Sequence, residues 1–133
     1  MTIAIAIYTF IPPLADLATD THVFHPGWLP HARMHTVWML GMASGIGLVS
    51  LTLLWKRRLE PTLGGTLAGV LSLVVYGAFF LSAATLPLYS GALSDMEGGI
   101  GKGPFGFDAN LFTFSVGLLV LLAGWMLHRR AVT

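Results

Sequence analysis

Apolar residues run in four blocks along the chain, separated by short polar or glycine-rich segments. Three of the blocks, residues 35–55, 63–89 and 109–127, are apolar nearly all round. A helix without a polar stripe has no water-facing side, so it belongs inside protein or in lipid. A hydrocarbon core of about 30 Å takes roughly 20 mostly apolar residues per helix, and these blocks have that length. The fourth block, residues 2–17, is shorter, and Pro12-Pro13 interrupts it. Proline removes a backbone donor and clashes with the preceding turn, which predicts a kink or an early end there. The pattern predicts an all-α, four-helix transmembrane bundle, a single domain over residues 1–133 with a short kinked first helix.

A cleaved signal peptide is the rival reading of the first block. That block lacks a positively charged leading region, and no small-residue cleavage site precedes Asp20. A retained first helix is expected on those grounds.

Loop charge predicts the orientation. Lys56, Arg57 and Arg58 lie between the second and third blocks, and Arg129 and Arg130 follow the last; Arg33 and Lys102 fall on the other side. The positive-inside rule then makes both termini cytoplasmic (N-in, C-in) and turns the first and third loops to the periplasm or cell exterior. The expected location is the inner (plasma) membrane, as a multi-pass protein. Trp28, Trp38, Trp55, Tyr89 and Trp125 lie near the block ends, where an interfacial aromatic belt would sit. Gly41 and Gly45 form a G-x-x-x-G pair with Gly47 beyond, and Gly65 and Gly69 form another. That spacing lets helix backbones approach closely. Packing within the bundle is the expectation, and a homo-oligomer face the alternative.

Composition narrows the chemistry. The chain has 133 residues, 55% hydrophobic and 10% charged, where soluble domains carry about 25% charged. A net charge of +1 gives no sign of a nucleic-acid partner. With no cysteine, disulfides, iron–sulfur clusters and thiol catalysis are excluded, and any metal must be held by histidine and oxygen ligands. The glycine-rich residues 98–106 lack the Walker spacing of a phosphate-binding loop and read as a flexible outer loop able to act as a lid. Asp108 is placed to cap the last helix. His128 adjoins Arg129 and Arg130, where cations suit a helix C-terminus, and no chemistry is assigned to it. Met39, Met42, Phe79, Phe80, Phe112 and Phe114 read as packing residues, a few of them lining a lipophilic pocket.

The candidate chemistry is concentrated in one run: His22, His25, His31 and His35 are four of the five histidines. Pro30 suits the first turn of a helix. A helix starting there stacks His31 and His35 at i and i+4, with Trp38, Met42 and Gly45 continuing the stripe. That stripe is expected to face the bundle, with Arg33 pointing away to headgroups or to a carboxylate. Asp16, Asp20, Asp95, Glu97 and Asp108 are the carboxylates available on that side. Three readings stay open. One is a metal site, His31, His35, His22 and His25 with Asp20 or Glu97 holding zinc, iron, manganese or copper. Another is metal-free acid–base chemistry by histidine. The third is structural, with imidazoles bonding loop backbone.

The segment Trp28-Leu29-Pro30-His31-Ala32-Arg33-Met34-His35 resembles a signature of small four-span membrane proteins of unassigned function. That signature reads Thr-His-x-x-Asn-Pro-x-Trp-Pro-Pro-His-Ala-Arg-Phe-His. Thr21, His22, Pro26, Trp28, Pro30, His31, Ala32, Arg33 and His35 match it, while His25, Leu29 and Met34 replace asparagine, proline and phenylalanine. The resemblance covers residues 21–35 and implies that His22, His31, Arg33 and His35 share one site. It implies no reaction.

The function expected from these residues is a small membrane enzyme with a histidine-rich site at the outer bundle mouth. It would act on a lipophilic molecule such as an isoprenoid, quinone, sterol or acyl chain. His31, His35 and His22 are the catalytic candidates, and Arg33 would stabilise negative charge or hold a headgroup. The alternative is a non-catalytic accessory subunit of a larger membrane complex. A channel is disfavoured, because four short spans leave little room for a pore.

Overall fold

The computed structural model describes residues 1–56, 60–94 and 103–132. Arg57, Arg58, Asp95, Glu97, Lys102 and the first part of the glycine-rich loop lie outside the described residues. Among the described residues there are four α-helices: α1 (Thr2–Ala18), α2 (Pro30–Trp55), α3 (Pro61–Ala84) and α4 (Ala109–Val132). Short 3-10 turns at Leu86–Leu88 and Pro104–Gly106 punctuate the long connection before α4. By length and composition α2, α3 and α4 can each cross a membrane, whereas α1 is apolar but shorter, at 17 residues.

Local chemistry explains the boundaries. Pro30 opens α2 and Pro61 opens α3 at the first helical turn, where the missing N–H is one the helix does not use. Glu60 caps α3 by accepting from the amides of Thr62 at 2.9 Å and Leu63 at 2.7 Å. Those two bonds hold its carboxyl below the ordinary carboxylate range. Asp108 caps α4 as expected, accepting from the Leu111 amide at 2.9 Å. The third block ends earlier than its apolar run, because α3 stops at Ala84 and residues 86–88 tighten into a 3-10 turn.

The early end expected at Pro12-Pro13 is not found; α1 runs through both prolines to Ala18. Pro13 has no N–H to give the Thr9 carbonyl four residues back. The Ser44 hydroxyl of α2 donates to that carbonyl instead, at 2.9 Å. A neighbouring side chain that takes over a freed backbone group is how buried membrane helices tolerate proline.

Helix α1 packs against α2 and α4, and α3 packs against the same two. Polar side chains of α1 and α3 join across the middle. The Tyr76 hydroxyl donates to the Ala4 carbonyl at 2.7 Å, the Tyr8 and Ser72 hydroxyls bond at 3.1 Å, and the two tyrosine rings meet edge to face at 5.5 Å. Trp55 Nε1 donates to Thr2 Oγ1 at 3.1 Å, and His128 Nε2 lies 3.0 Å from the Pro61 carbonyl. The start of α1, the end of α2, the start of α3 and the end of α4 therefore share one end. The histidine-bearing residues 19–29 and the described residues 85–94 and 103–108 occupy the other, here termed the histidine end.

The interior is built of small and hydroxylated residues: Ala4, Thr9, Thr36, Gly47, Ser50, Gly65, Ala68, Gly69, Ser72 and Gly117, with Ile5, Tyr8, Tyr76 and Leu121. The exterior carries leucine, valine, methionine and phenylalanine. Lipid tails are as apolar as leucine, so membrane helices associate through close packing and hydrogen bonds rather than by hiding apolar area. Gly65 and Gly69 serve that packing, facing His128 and Trp125 of α4, and Gly47 faces Thr9 of α1. Trp125 thus packs against α3. Among the described residues nothing lies within 4 Å of a Cβ placed at Gly41 or Gly45, so the first G-x-x-x-G pair takes no part in that packing.

Candidate functional site

The four clustered histidines fall into three separate arrangements. His22 leaves the end of α1 and turns back onto it, with Nδ1 2.9 Å from Asp16 Oδ1 and 3.1 Å from Thr21 Oγ1. The Trp28 ring packs edge-on against His22 at 5.3 Å. His25 closes a tight turn by accepting from the Gly27 amide at 3.1 Å. His31 and His35 do stack one turn apart on α2, their Nε2 atoms 3.1 Å apart. That bond needs one ring to carry hydrogen on Nε2 and the other to present a lone pair.

The His31–His35 stripe does not face the bundle. Trp38 is 57% exposed and Met42 48% exposed on the same side, and Gly45 opens onto empty space. The bundle face of α2 is the one carrying Thr36, Ser44, Gly47 and Ser50. Hydrophobicity points outward here because the outside is itself apolar. Arg33, expected to reach headgroups or a carboxylate, is partly buried and donates from Nη2 to the His25 carbonyl at 2.9 Å. It pins the loop to the start of α2.

Among the described residues, no group of three or more histidine, aspartate or glutamate side chains is placed to hold a metal ion. The expectation of zinc, iron, manganese or copper on His31, His35, His22, His25 and Asp20 is therefore overturned, and Glu97 lies outside the described residues. The idea of a single histidine-rich centre performing metal-dependent or histidine acid–base chemistry on a lipophilic substrate falls with it. The physical reason is loop closure. His22 is drawn back to Asp16 on α1, while His31 and His35 ride the outward face of α2.

The polar groups that do converge lie elsewhere, around a cavity of about 290 Å³ between the histidine ends of α1, α3 and α4. Helix α1 contributes Ile11, Pro12 and Ala15, and α4 contributes Thr113 and Phe114. Phe79 of α3 stacks on Phe114, centroids 4.0 Å apart and 17° from parallel, to make the inner wall. Phe114 leans in turn on the Tyr76 ring, 5.8 Å away, so the wall continues into the core. The rim is polar: Asp16, Thr21, His22, Ser94 and Asn110. Asp16 and His22 are 15% and 35% exposed at their side chains.

Local bonds hold this rim in place. Thr19 Oγ1 donates to the Ala15 carbonyl at 2.7 Å and lies 2.7 Å from Thr21 Oγ1, which in turn meets His22. Asn110 donates from Nδ2 to the Leu93 carbonyl at 2.8 Å, tying the long connection to α4. Sequence reading named Asp16 among the available carboxylates but favoured Asp20 and Glu97; Asp20 is exposed and stands apart from the cavity. The missed signal was a lone carboxylate in the last turn of an otherwise apolar helix. The expectation that a few of the phenylalanines line a lipophilic pocket is met by Phe79 and Phe114.

The chain matches no family model, no curated protein and no solved structure, and the four-span signature read in residues 21–35 is not confirmed as a family.

Proposed function

We propose that this chain is a membrane-embedded binding protein that holds one small amphipathic molecule in the cavity between α1, α3 and α4. The observation that carries the reading is the two-sided lining: a stacked Phe79–Phe114 wall inside and the Asp16–His22 pair at the rim. Ligand sites are typically concave, mostly apolar and supplied with a few convergent polar groups. In this reading α1 is a fourth, short span. Arg129 and Arg130 keep the termini cytoplasmic, so the cavity opens to the periplasmic or outer side. The chain has no cysteine of its own, so an Asp20→Cys variant reports sidedness. Labelling of intact cells by an impermeant maleimide is expected, and protection there would reverse the orientation.

Ala15 lines the cavity, and Ala15→Trp is expected to fill it. Protein purified in mild detergent is extracted into organic solvent, and the extract is analysed by mass spectrometry. A near-stoichiometric small amphiphile should accompany the wild type and be absent from Ala15→Trp. Identical extracts from the two proteins would sink the binding reading.

A second reading is favoured by the outward face of α2, where Gly41 and Gly45 open onto empty space beside exposed Trp38 and Met42. Small residues at this spacing suit close approach by another membrane helix, in a homo-oligomer or a larger membrane complex. A Gly41→Cys variant in native membranes is expected to form an oxidised cross-link to such a neighbour. Monomeric protein throughout would remove this reading.

A further inference from the structure

Resting on the binding reading above, we propose that the cavity selects a protonated amine carried on a compact apolar body. The donors at the rim are spent locally: His22 Nδ1 donates to the Asp16 carboxylate, and because Thr19 donates to the Ala15 carbonyl the Thr21 hydroxyl donates to Thr19. Asp16 is the carboxylate among the described residues that line the cavity, and His22 Nδ1 meets one of its oxygens. A carboxylate offers about four lone-pair sites, so acceptor capacity remains beside that bond. Asn110 places one Nδ2 hydrogen on the Leu93 carbonyl, and its Oδ1 adds an acceptor beside the second N–H. Among the described residues no lysine or arginine lines the cavity.

The fixed dipoles favour the same sign. Asp16 stands in the last turns of α1, which ends at Ala18, and a helix C-terminus is the negative end of the macrodipole. A carboxylate there is unfavourable by itself and is relieved by a cation. The opposing positive end, the start of α4, already has a carboxylate partner in Asp108. The inner wall is the stacked Phe79–Phe114 pair, which suits the apolar body of the ligand rather than its charge. Among the described residues the titratable side chains around this point are Asp16, His22 and Asp108, from α1, its connection and the α4 cap. Size sets the rest of the ligand. About 290 Å³ falls just under the range of about 300–1,000 Å³ for ligand pockets, which suits a single ring or short branched body rather than a long chain.

The test compares two soluble probes of one shape, phenethylamine and 2-phenylethanol, near neutral pH where the amine is protonated. Calorimetric titration uses the full chain in phosphatidylcholine nanodiscs, with empty nanodiscs as the blank. The amine should bind about tenfold or more tightly than the alcohol, since a charge-assisted bond replaces a neutral one. Asp16→Asn should bring the two within about twofold of each other. Glu60→Gln, which removes a charge at the far end, should keep the preference. Equal affinities in the wild type, or a preference that survives Asp16→Asn, would overturn the amine assignment and leave the cavity reading standing. Binding of neither probe would remove both. The wild-type comparison needs no variant, so a poorly folded Asp16→Asn does not weaken the test.

Discussion

Gly117→Ala is expected to destabilise the protein by about 3 kcal/mol, at the upper end of overpacking costs. A methyl group at Gly117 would meet the Tyr76 hydroxyl and, at 2.8 Å, two carbons of its ring. The ring cannot retreat. Tyr76 is fully buried, its hydroxyl bonds the Ala4 carbonyl at 2.7 Å, and Tyr8 and Phe114 flank it at 5.5 and 5.8 Å. Relief must come from α3 and α4 moving apart. Gly41→Ala and Gly45→Ala are the matched controls, because a Cβ there meets nothing within 4 Å, and changes within about 0.5 kcal/mol are expected. Steric trapping or reversible unfolding in mixed micelles reads the difference. In the Tyr76→Phe background Gly117→Ala should cost less, since the nearest clashing atom is gone. A Gly117→Ala protein as stable as the Gly41→Ala control would disprove the close α3–α4 approach.

Tyr76→Ala should cost about 3 kcal/mol and Tyr76→Phe about 1 kcal/mol. The larger figure sits at the low end for aromatic truncation because a bilayer, unlike water, offers the displaced surface an apolar medium. What remains is lost contact: the T-shaped packing on Tyr8 and on Phe114 and the bond to α1. The smaller figure is an interhelical hydrogen bond whose partners find substitutes in the unfolded membrane state. The two variants also separate stability from binding. Phe114 rests on Tyr76 and stacks on Phe79 to form the cavity wall, so Tyr76→Ala should weaken ligand retention beyond its effect on folding. Tyr76→Phe keeps the ring and should retain ligand as the wild type does. Equal retention by both variants, measured on the same organic extracts, would show that the wall does not depend on the core behind it.

Both predictions turn on an interior of small and hydroxylated residues. Ser44 completes the proline-freed carbonyl of Thr9, Gly47 admits Thr9, and Gly117 admits Tyr76. Each relation joins two helices through a residue that hydropathy ranks as unremarkable. The cavity is the place where this close packing stops, at the histidine ends of α1, α3 and α4, and where a carboxylate and an imidazole meet instead.

What the chain determines by itself is local. The four apolar blocks, the helix start at Pro30, the Asp108 cap and the shared face of His31 and His35 all follow from neighbours within a turn or two, and all are found. The Gly65–Gly69 contact and the place of Phe79 and Phe114 at a pocket were legible for a similar reason: small spacing and aromatic content are written along one helix. Tertiary structure alone decided which face of α2 looks inward. Helices apolar on all sides carry no stripe to rank, and lipid rewards an apolar face as well as the interior does. It also decided which polar groups meet. His22 turns back to Asp16, Arg33 takes the His25 carbonyl, and the His31–His35 pair stays outside. Loop closure sets those pairings, and residue spacing along the chain carries no distance between the ends of different helices.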